Sequence, residues 1–290
     1  MNKVKGIYVK QALMVSMMII GSLLVRSAGG TDRLVPVQYA TIQAAIDAAV
    51  AGDMVIVAEG TYNERINFKG KNITLTSTNP DDPAVVAGTV IQSSGAGSVV
   101  TFSGGESISC QLAGFTITGG NGATLGGGIL GNNTDTNPTI RQCVITDNYV
   151  SSAGGGIWGC GGEISRCIFY NNSATSSGYG GAIAACQGSI VNCLIQNNQA
   201  GYGGAINNCD GNILNCTITQ NTGTSQGAVN GCDGQIINCI VWGNTPDTIT
   251  NNTSAITYCC WPGGTSGTGN INSNPSFASS TSFKLKSDSP

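Results

Sequence analysis

Histidine is missing from all 290 residues, and only 9% of the chain is charged. The first absence removes the imidazole used for acid–base work near neutral pH and for mixed cysteine–histidine metal sites. Cations are scarce where a catalytic groove would need them. Between positions 73 and 283 there is no lysine, and Arg141 and Arg166 are the only arginines. With a net charge of −3 and no basic cluster, the chain has no surface on which to collect phosphates, which excludes nucleic acid as a partner. Long apolar runs are also lacking. The one at 12–25, ALMVSMMIIGSLLV, has 14 residues, short of the roughly 18 to 20 that a spanning helix needs. Preceded by Lys3, Lys5 and Lys10 and followed by small residues, it reads as a secretory signal peptide occupying residues 1–30, cleaved after Ser27 or Gly30. An uncleaved anchor is the alternative.

Against these absences stand 43 glycines and 12 cysteines, and the cysteines are periodic. CGGEISRC (160–167), CQGSIVNC (186–193), CDGNILNC (209–216) and CDGQIINC (232–239) share one form. Their second cysteines follow one another at 26, 23 and 23 residues, a period that marks stacked supersecondary units. Aligned on those cysteines, Ile140, Ile164, Ile190, Ile213 and Ile236 stand three before, and Ile145, Phe169, Ile195, Ile218 and Val241 two after. Gln142, Arg166, Asn192, Asn215 and Asn238, one before, are polar. Cysteine in, neighbour out and apolar in again is the alternation of a strand with one buried face.

Five after the cysteine every copy has asparagine: Asn148, Asn172, Asn198, Asn221 and Asn244. A turn residue held at constant register predicts a ladder of side-chain amides, each bonding the one above and the one below. A second short strand, with Ile157, Ile183, Ile206 and Val229 in one column, precedes the first cysteine of each pair, behind glycines that mark tight corners. Such units are too small to fold alone. The expected fold is all-β, a single-stranded parallel β-helix with turns of about 23 residues spanning 66–261.

The cysteines are then expected in two inward ladders. One runs through Cys110, Cys143, Cys167, Cys193, Cys216, Cys239 and Cys260, the other through Cys160, Cys186, Cys209 and Cys232, with Cys259 outside both. Three readings of the ladders stand open. Cysteine is a small buried hydrophobe that stacks on itself, rung spacing falls within the disulfide Cα range, and thiols bind metals, although this spacing is not that of a zinc site. Residues 31–65 form an N-terminal cap. Thr41 can cap a helix with Ile42, Ala45, Ile46 and Ala49 on one face, ending at Gly52 and Asp53 before the strand MVIVAEG. That helix would cover the exposed strand edge of the first rung.

TIQAAIDAA followed by VIVAEGTYNERI resembles the opening of right-handed parallel β-helix proteins of the pectin lyase-like superfamily. GGAI at 180–183 and 203–206, with FYNN at 169–172, resembles the repeats of polymorphic outer membrane proteins. The resemblance runs from about Tyr39 to Trp261. It implies a right-handed helix in an exported bacterial protein, extracellular or at the outer cell surface, and polysaccharide cleavage in some relatives. The closing segment 262–290 resembles the end of many such proteins but stops at Pro290, before the expected I-D-x-G turn. The chain is therefore expected to be truncated, with any C-terminal anchor or sorting domain missing.

The resemblance implies that lyases of this kind use an arginine or lysine base and carboxylate-bound Ca²⁺, and that hydrolases use two or three aspartates. The candidates here are few. Asp210 and Asp233 follow the first cysteine in consecutive rungs, a placement suited to paired carboxylates or to a shared Ca²⁺ ion. Both precede glycine, the ordinary chemistry of a turn. Arg166 is the candidate base, although guanidinium rarely gives up its proton. Tyr179 and Tyr202 share one column, and Tyr170 and Trp242 another. Such rings can stack on sugars. The first expectation is a non-catalytic, adhesin-like or structural surface module, monomeric, with no cofactor, contacting polysaccharide or cell-surface glycans. It would meet a membrane only through an uncleaved signal or the missing anchor. The alternative is a polysaccharide lyase or glycoside hydrolase.

Overall fold

One copy of the repeat buries too little apolar surface to be stable alone, and the chain meets this by laying successive copies on one another. In the computed structural model, described for residues 30–93, 95–121, 123–133, 135–264, 266–279 and 283–289, the result is a parallel β-solenoid of about nine turns, each of about 24 residues. A long sheet has ten strands, from Asp32–Val35 to Ile256–Thr257. A second sheet of eight runs from Gly60–Tyr62 to Ile240–Val241, a third of eight from Ile66–Asn67 to Ile249–Thr250, and a minor sheet of five from Ala123–Leu125 to Thr222–Gly223. In each sheet the neighbours are strands one turn apart. Residues 1–29, which fall in the segment expected to be a signal peptide, lie outside the described residues. Among the described residues no helix is long and apolar enough to cross a membrane.

Parallel pairing in exact register makes each inward position a column. In the long sheet Ile140, Ile164, Ile190, Ile213, Ile236 and Ile256 pair in succession. The second sheet contributes Ile145, Phe169, Ile195, Ile218 and Val241, and the third Ile129, Ile157, Ile183, Ile206 and Val229. Apart from Ile256, these residues are buried in one continuous core. Branched side chains suit strands because their stiff χ1 leaves little entropy to lose on stacking.

The expectation of one strand through each second cysteine needs correction. Ile164–Ser165 belongs to the long sheet and Ile168–Tyr170 to the second, and Arg166 between them turns the chain with φ of 54°. Gln142, Asn192, Asn215, Asn238 and Tyr258 repeat that left-handed corner with φ between 54° and 57°. Asparagine tolerates this conformation through local hydrogen bonding, which explains three of the six. The residue before the cysteine is therefore a corner, and the alternation restarts after it.

The ladder memberships also shift at their ends. Cys259 continues the stack below Cys239, with the Cys239 N–H 3.4 Å from the Cys259 Sγ, while Cys260 pairs with Ile240. At the other end the register of Val144 with Thr116 puts Phe115 in the slot above Cys143, so Cys110 lies outside the stack. Counting residues misled at both ends because the last rung is shorter and the one before Cys143 is longer.

Helix α1 (Ile42–Ala48) closes the N-terminal end. Thr41 Oγ1 accepts from Ala44 N at 3.1 Å, while the Glu64 carboxylate accepts from Ile42 N at 2.9 Å and Gln43 N at 3.0 Å. Lys71 Nζ donates to the carbonyls of Ile46, Asp47 and Ala49 at 2.7–2.8 Å, so that neighbouring turns supply both caps. Ile42, Ala45 and Ile46 are buried against the core. The edge of the long sheet is Asp32–Val35, a strand not anticipated from the sequence, so the helix plugs the open end of the core rather than that edge. A second helix, α2 (Pro83–Gly88), was also unforeseen, although Asp82 as cap and Pro83 in the first turn are its ordinary signature.

Candidate functional site

The asparagine ladder is the most complete polar structure in the molecule. Asn148 Nδ2 donates to Asn172 Oδ1 at 3.0 Å, Asn172 to Asn198 at 3.0 Å, Asn198 to Asn221 at 2.9 Å and Asn221 to Asn244 at 3.0 Å. Each Oδ1 also accepts the backbone N–H of the asparagine before it, and each Nδ2 also reaches a carbonyl one turn away, such as Ile145 O from Asn172 at 2.8 Å. All five are buried. Fully satisfied inside the wall, these amides bind neighbouring turns and offer nothing to a ligand.

Asp210 and Asp233 occupy one column at the corner between the third and long sheets, their N–H groups donating to Cys186 O and Cys209 O. Both are exposed, and Asp233 Oδ1 accepts from Thr253 Oγ1 at 2.7 Å. The glycine after each is dictated by packing. A Cβ on Gly211 would lie 2.1 Å from Gly188 O, and one on Gly234 2.1 Å from Gly211 O. Rungs meet there too closely for any side chain. The Asp-Gly pairs are thus turn chemistry first. Arg166 is exposed at the other margin of the long sheet, the corner leading into the second sheet. The long sheet separates it from the two aspartates, so the fold does not bring these three together. Among the described residues no group of three or more cysteine, aspartate or glutamate side chains could hold a metal ion.

The tyrosines fare differently. Tyr179 and Tyr202 pair across adjacent rungs with ring centroids 5.0 Å apart and planes 18° from parallel. The rings therefore face each other, and solvent meets their edges and the outer face of the stack. Tyr170 and Trp242, in the outward column of the second sheet, have Gln196 and Thr219 between them and form no pair.

Two further features stand out: a groove that escaped the sequence reading, and the state of the thiols, whose stacking as buried side chains was one of the three readings left open. A surface groove of about 480 Å³ on the third sheet is lined by Arg65, Asn67, Ser98, Thr101, Leu125 and Leu130. The Arg65 guanidinium donates to the Ala96 carbonyl there. Its signal was a cation outside the cation-poor span, beside the first strand of that sheet. The second is the chemical state of the thiols. All twelve cysteines are buried and unbonded to one another. Burial, reinforced by the neighbouring thiol, pushes Cys143, Cys193 and Cys239 well above the ordinary thiol value, and burial pushes Cys260 up to about 12. A thiol so held is not a nucleophile at neutral pH.

No family model matches the chain, and no curated protein matches it. Among solved structures, the pectin methylesterase from Aspergillus niger is similar over 84% of this chain and 81% of its own, at 14% identity and a TM-score of 0.40. A likeness of that degree carries no argument about activity.

Proposed function

We propose that this chain is an exported or cell-surface β-helix of the kind built from polymorphic outer membrane protein repeats, a rigid non-catalytic module that presents its polar faces to glycans. The observation that carries this reading is the separation of Arg166 from Asp210 and Asp233 by the width of the long sheet. Acid–base catalysis on a glycosidic or uronate bond needs its groups within hydrogen-bond reach of one reacting centre. The corners support the same reading, since enzymes wall a groove with long loops, whereas the Asp210 and Asp233 corners are closed down to glycine on a neighbouring carbonyl. The exposed edge of the Tyr179–Tyr202 stack is the proposed sugar contact.

A polysaccharide lyase or hydrolase is the second reading, favoured only by the consecutive placement of Asp210 and Asp233. One experiment separates the two. Purified protein is incubated with pectate, alginate and chondroitin, with and without Ca²⁺, while unsaturated product, new reducing ends and retention on each immobilised polysaccharide are measured. The expected outcome is no product, with retention of at least one polysaccharide that falls about tenfold in Tyr179→Ala/Tyr202→Ala. Product formation that vanishes in Asp210→Asn/Asp233→Asn would replace this reading with the enzymatic one.

A further inference from the structure

Both cysteine stacks contain an even number of thiols and are closed at each end by another residue. The first runs Cys143, Cys167, Cys193, Cys216, Cys239, Cys259, with Phe115 in the slot before it. After it stands Asn270, whose Oδ1 accepts from Cys259 N at 2.9 Å. The second runs Cys160, Cys186, Cys209, Cys232. Thr136 holds the slot before it, its carbonyl accepting from Gly161 N as Cys160 O accepts from Gln187 N. Asn252 follows it, with Oδ1 accepting from Cys232 N at 3.2 Å. Strand register sets successive cysteines one above the other along both stacks. The backbone N–H of Cys186, Cys193, Cys216 and Cys239 each lies 3.4 Å from the next sulfur.

In-register parallel strands hold Cα atoms about 4.8 Å apart, inside the roughly 4.4–6.8 Å range of disulfides. Within its stack a terminal thiol has one thiol neighbour, so complete closure of the stack must begin by pairing each end inward. That leaves a single solution. We propose that under oxidising conditions the two stacks close into five vertical disulfides, Cys143–Cys167, Cys193–Cys216, Cys239–Cys259, Cys160–Cys186 and Cys209–Cys232, leaving Cys110 and Cys260 as thiols. The oxidant is a disulfide, either glutathione disulfide or that of a thiol oxidoreductase. One cysteine thiolate attacks it and expels a thiol; the second cysteine attacks the mixed disulfide and expels the other. Two electrons and two protons pass from each cysteine pair to the oxidant, whose S–S bond becomes two thiols. Closure accompanies the winding of the rungs, because a thiol in the finished stack is shielded from any oxidant. Each bond then staples neighbouring turns.

The full chain, reduced and unfolded, is refolded in glutathione redox buffer or in excess reductant. Folding is checked by a cooperative far-UV melt, and free thiols are alkylated in denaturant before intact-mass and peptide mapping. The expected oxidised product carries alkyl groups on Cys110 and Cys260 alone, has lost about 2 Da per bond at five bonds, and melts roughly 10 °C or more above the reduced arm. Twelve alkylated cysteines in the folded oxidised arm, links such as Cys167–Cys193, or an oxidised arm that does not fold would each overturn the proposal. Two double variants check the pairing rule. Cys193→Ala/Cys216→Ala removes one predicted pair and should leave two free thiols. Cys167→Ala/Cys193→Ala breaks two pairs and should leave four; equal numbers in the two variants would also overturn it.

Discussion

Asn198 is bonded to the turn before it and the turn after it. Its Oδ1 accepts from Asn172 N and Nδ2, and its Nδ2 donates to Phe169 O, Gln196 O and Asn221 Oδ1. Truncation to alanine would leave the buried Asn172 amide and the Phe169 carbonyl without that partner, and each buried orphan costs about 1–3 kcal/mol. Asn198→Ala is therefore expected to lower stability by about 2–4 kcal/mol in urea unfolding, whereas Gln196→Ala, on the outward face of the strand that leads into this corner, should stay within about 0.5 kcal/mol. The ladder was legible in the sequence because repetition did the work of an alignment: five asparagines at one offset have one structural explanation. The corner at Arg166 was missed. An uninterrupted strand would put Ile164 and Cys167, three residues apart, on opposite faces, so two apolar columns at that odd offset, both buried in the structure, already marked a break in phase between two strands. Only the asparagines at 192, 215 and 238 hinted at positive φ.

Among the elements, the N-terminal cap rests most heavily on charge. Asp53 is buried, bridged to Arg33 Nη2 at 2.7 Å, and accepts from Thr31 N at 2.8 Å and Val50 N at 3.0 Å. Burial alone would raise its pKa, but the two backbone donors and the guanidinium outweigh that and hold the carboxyl below its ordinary value. A depressed carboxylate gives stability that is complete above the unfolded pKa of about 3.9 and is lost as pH falls through the lower folded value. Melting temperature followed from pH 7 to pH 2 should therefore drop below about pH 4. Asp53→Asn should melt lower at pH 7 and show a flatter acid limb; an unchanged limb would mean that other carboxylates govern acid unfolding. Helix α1 was readable from Thr41 and the Ile42–Ala45–Ile46 face because amphipathic period and cap coincide. Its partners Glu64 and Lys71 were not, since contacts across one full turn of a solenoid have no local signature.

At the scale of the whole molecule, each turn pairs with the turns beside it and reaches further only through single side chains, such as Thr224 Oγ1 donating to Ser176 O at 3.1 Å, so stability is close to a sum of rungs and rung interfaces. Deleting residues 194–216 joins Cys193 to Thr217, the residue that already pairs beneath Leu194, and keeps every column in phase. The shortened chain is expected to fold cooperatively, with a denaturant m-value smaller by about one ninth, in proportion to the surface no longer buried. The ladder ends at Cys259 and Phe115 show how strictly that phase is kept. Ile256 and Leu112 each stand three before the slot, as in every other copy, and a reading anchored on isoleucine rather than on cysteine spacing would have found both. The same deletion bears on the thiols. It removes Cys209 and Cys216, one from each stack, and turns stacks of six and four into stacks of five and three. Odd stacks cannot close completely. Refolded in glutathione buffer, the deletion should form three disulfides where the full chain forms five, with one stranded thiol in each stack beside Cys110 and Cys260. Peptide mapping after alkylation would read that count directly. Four or more disulfides would show that the cysteines pair without regard to the rungs they stand on.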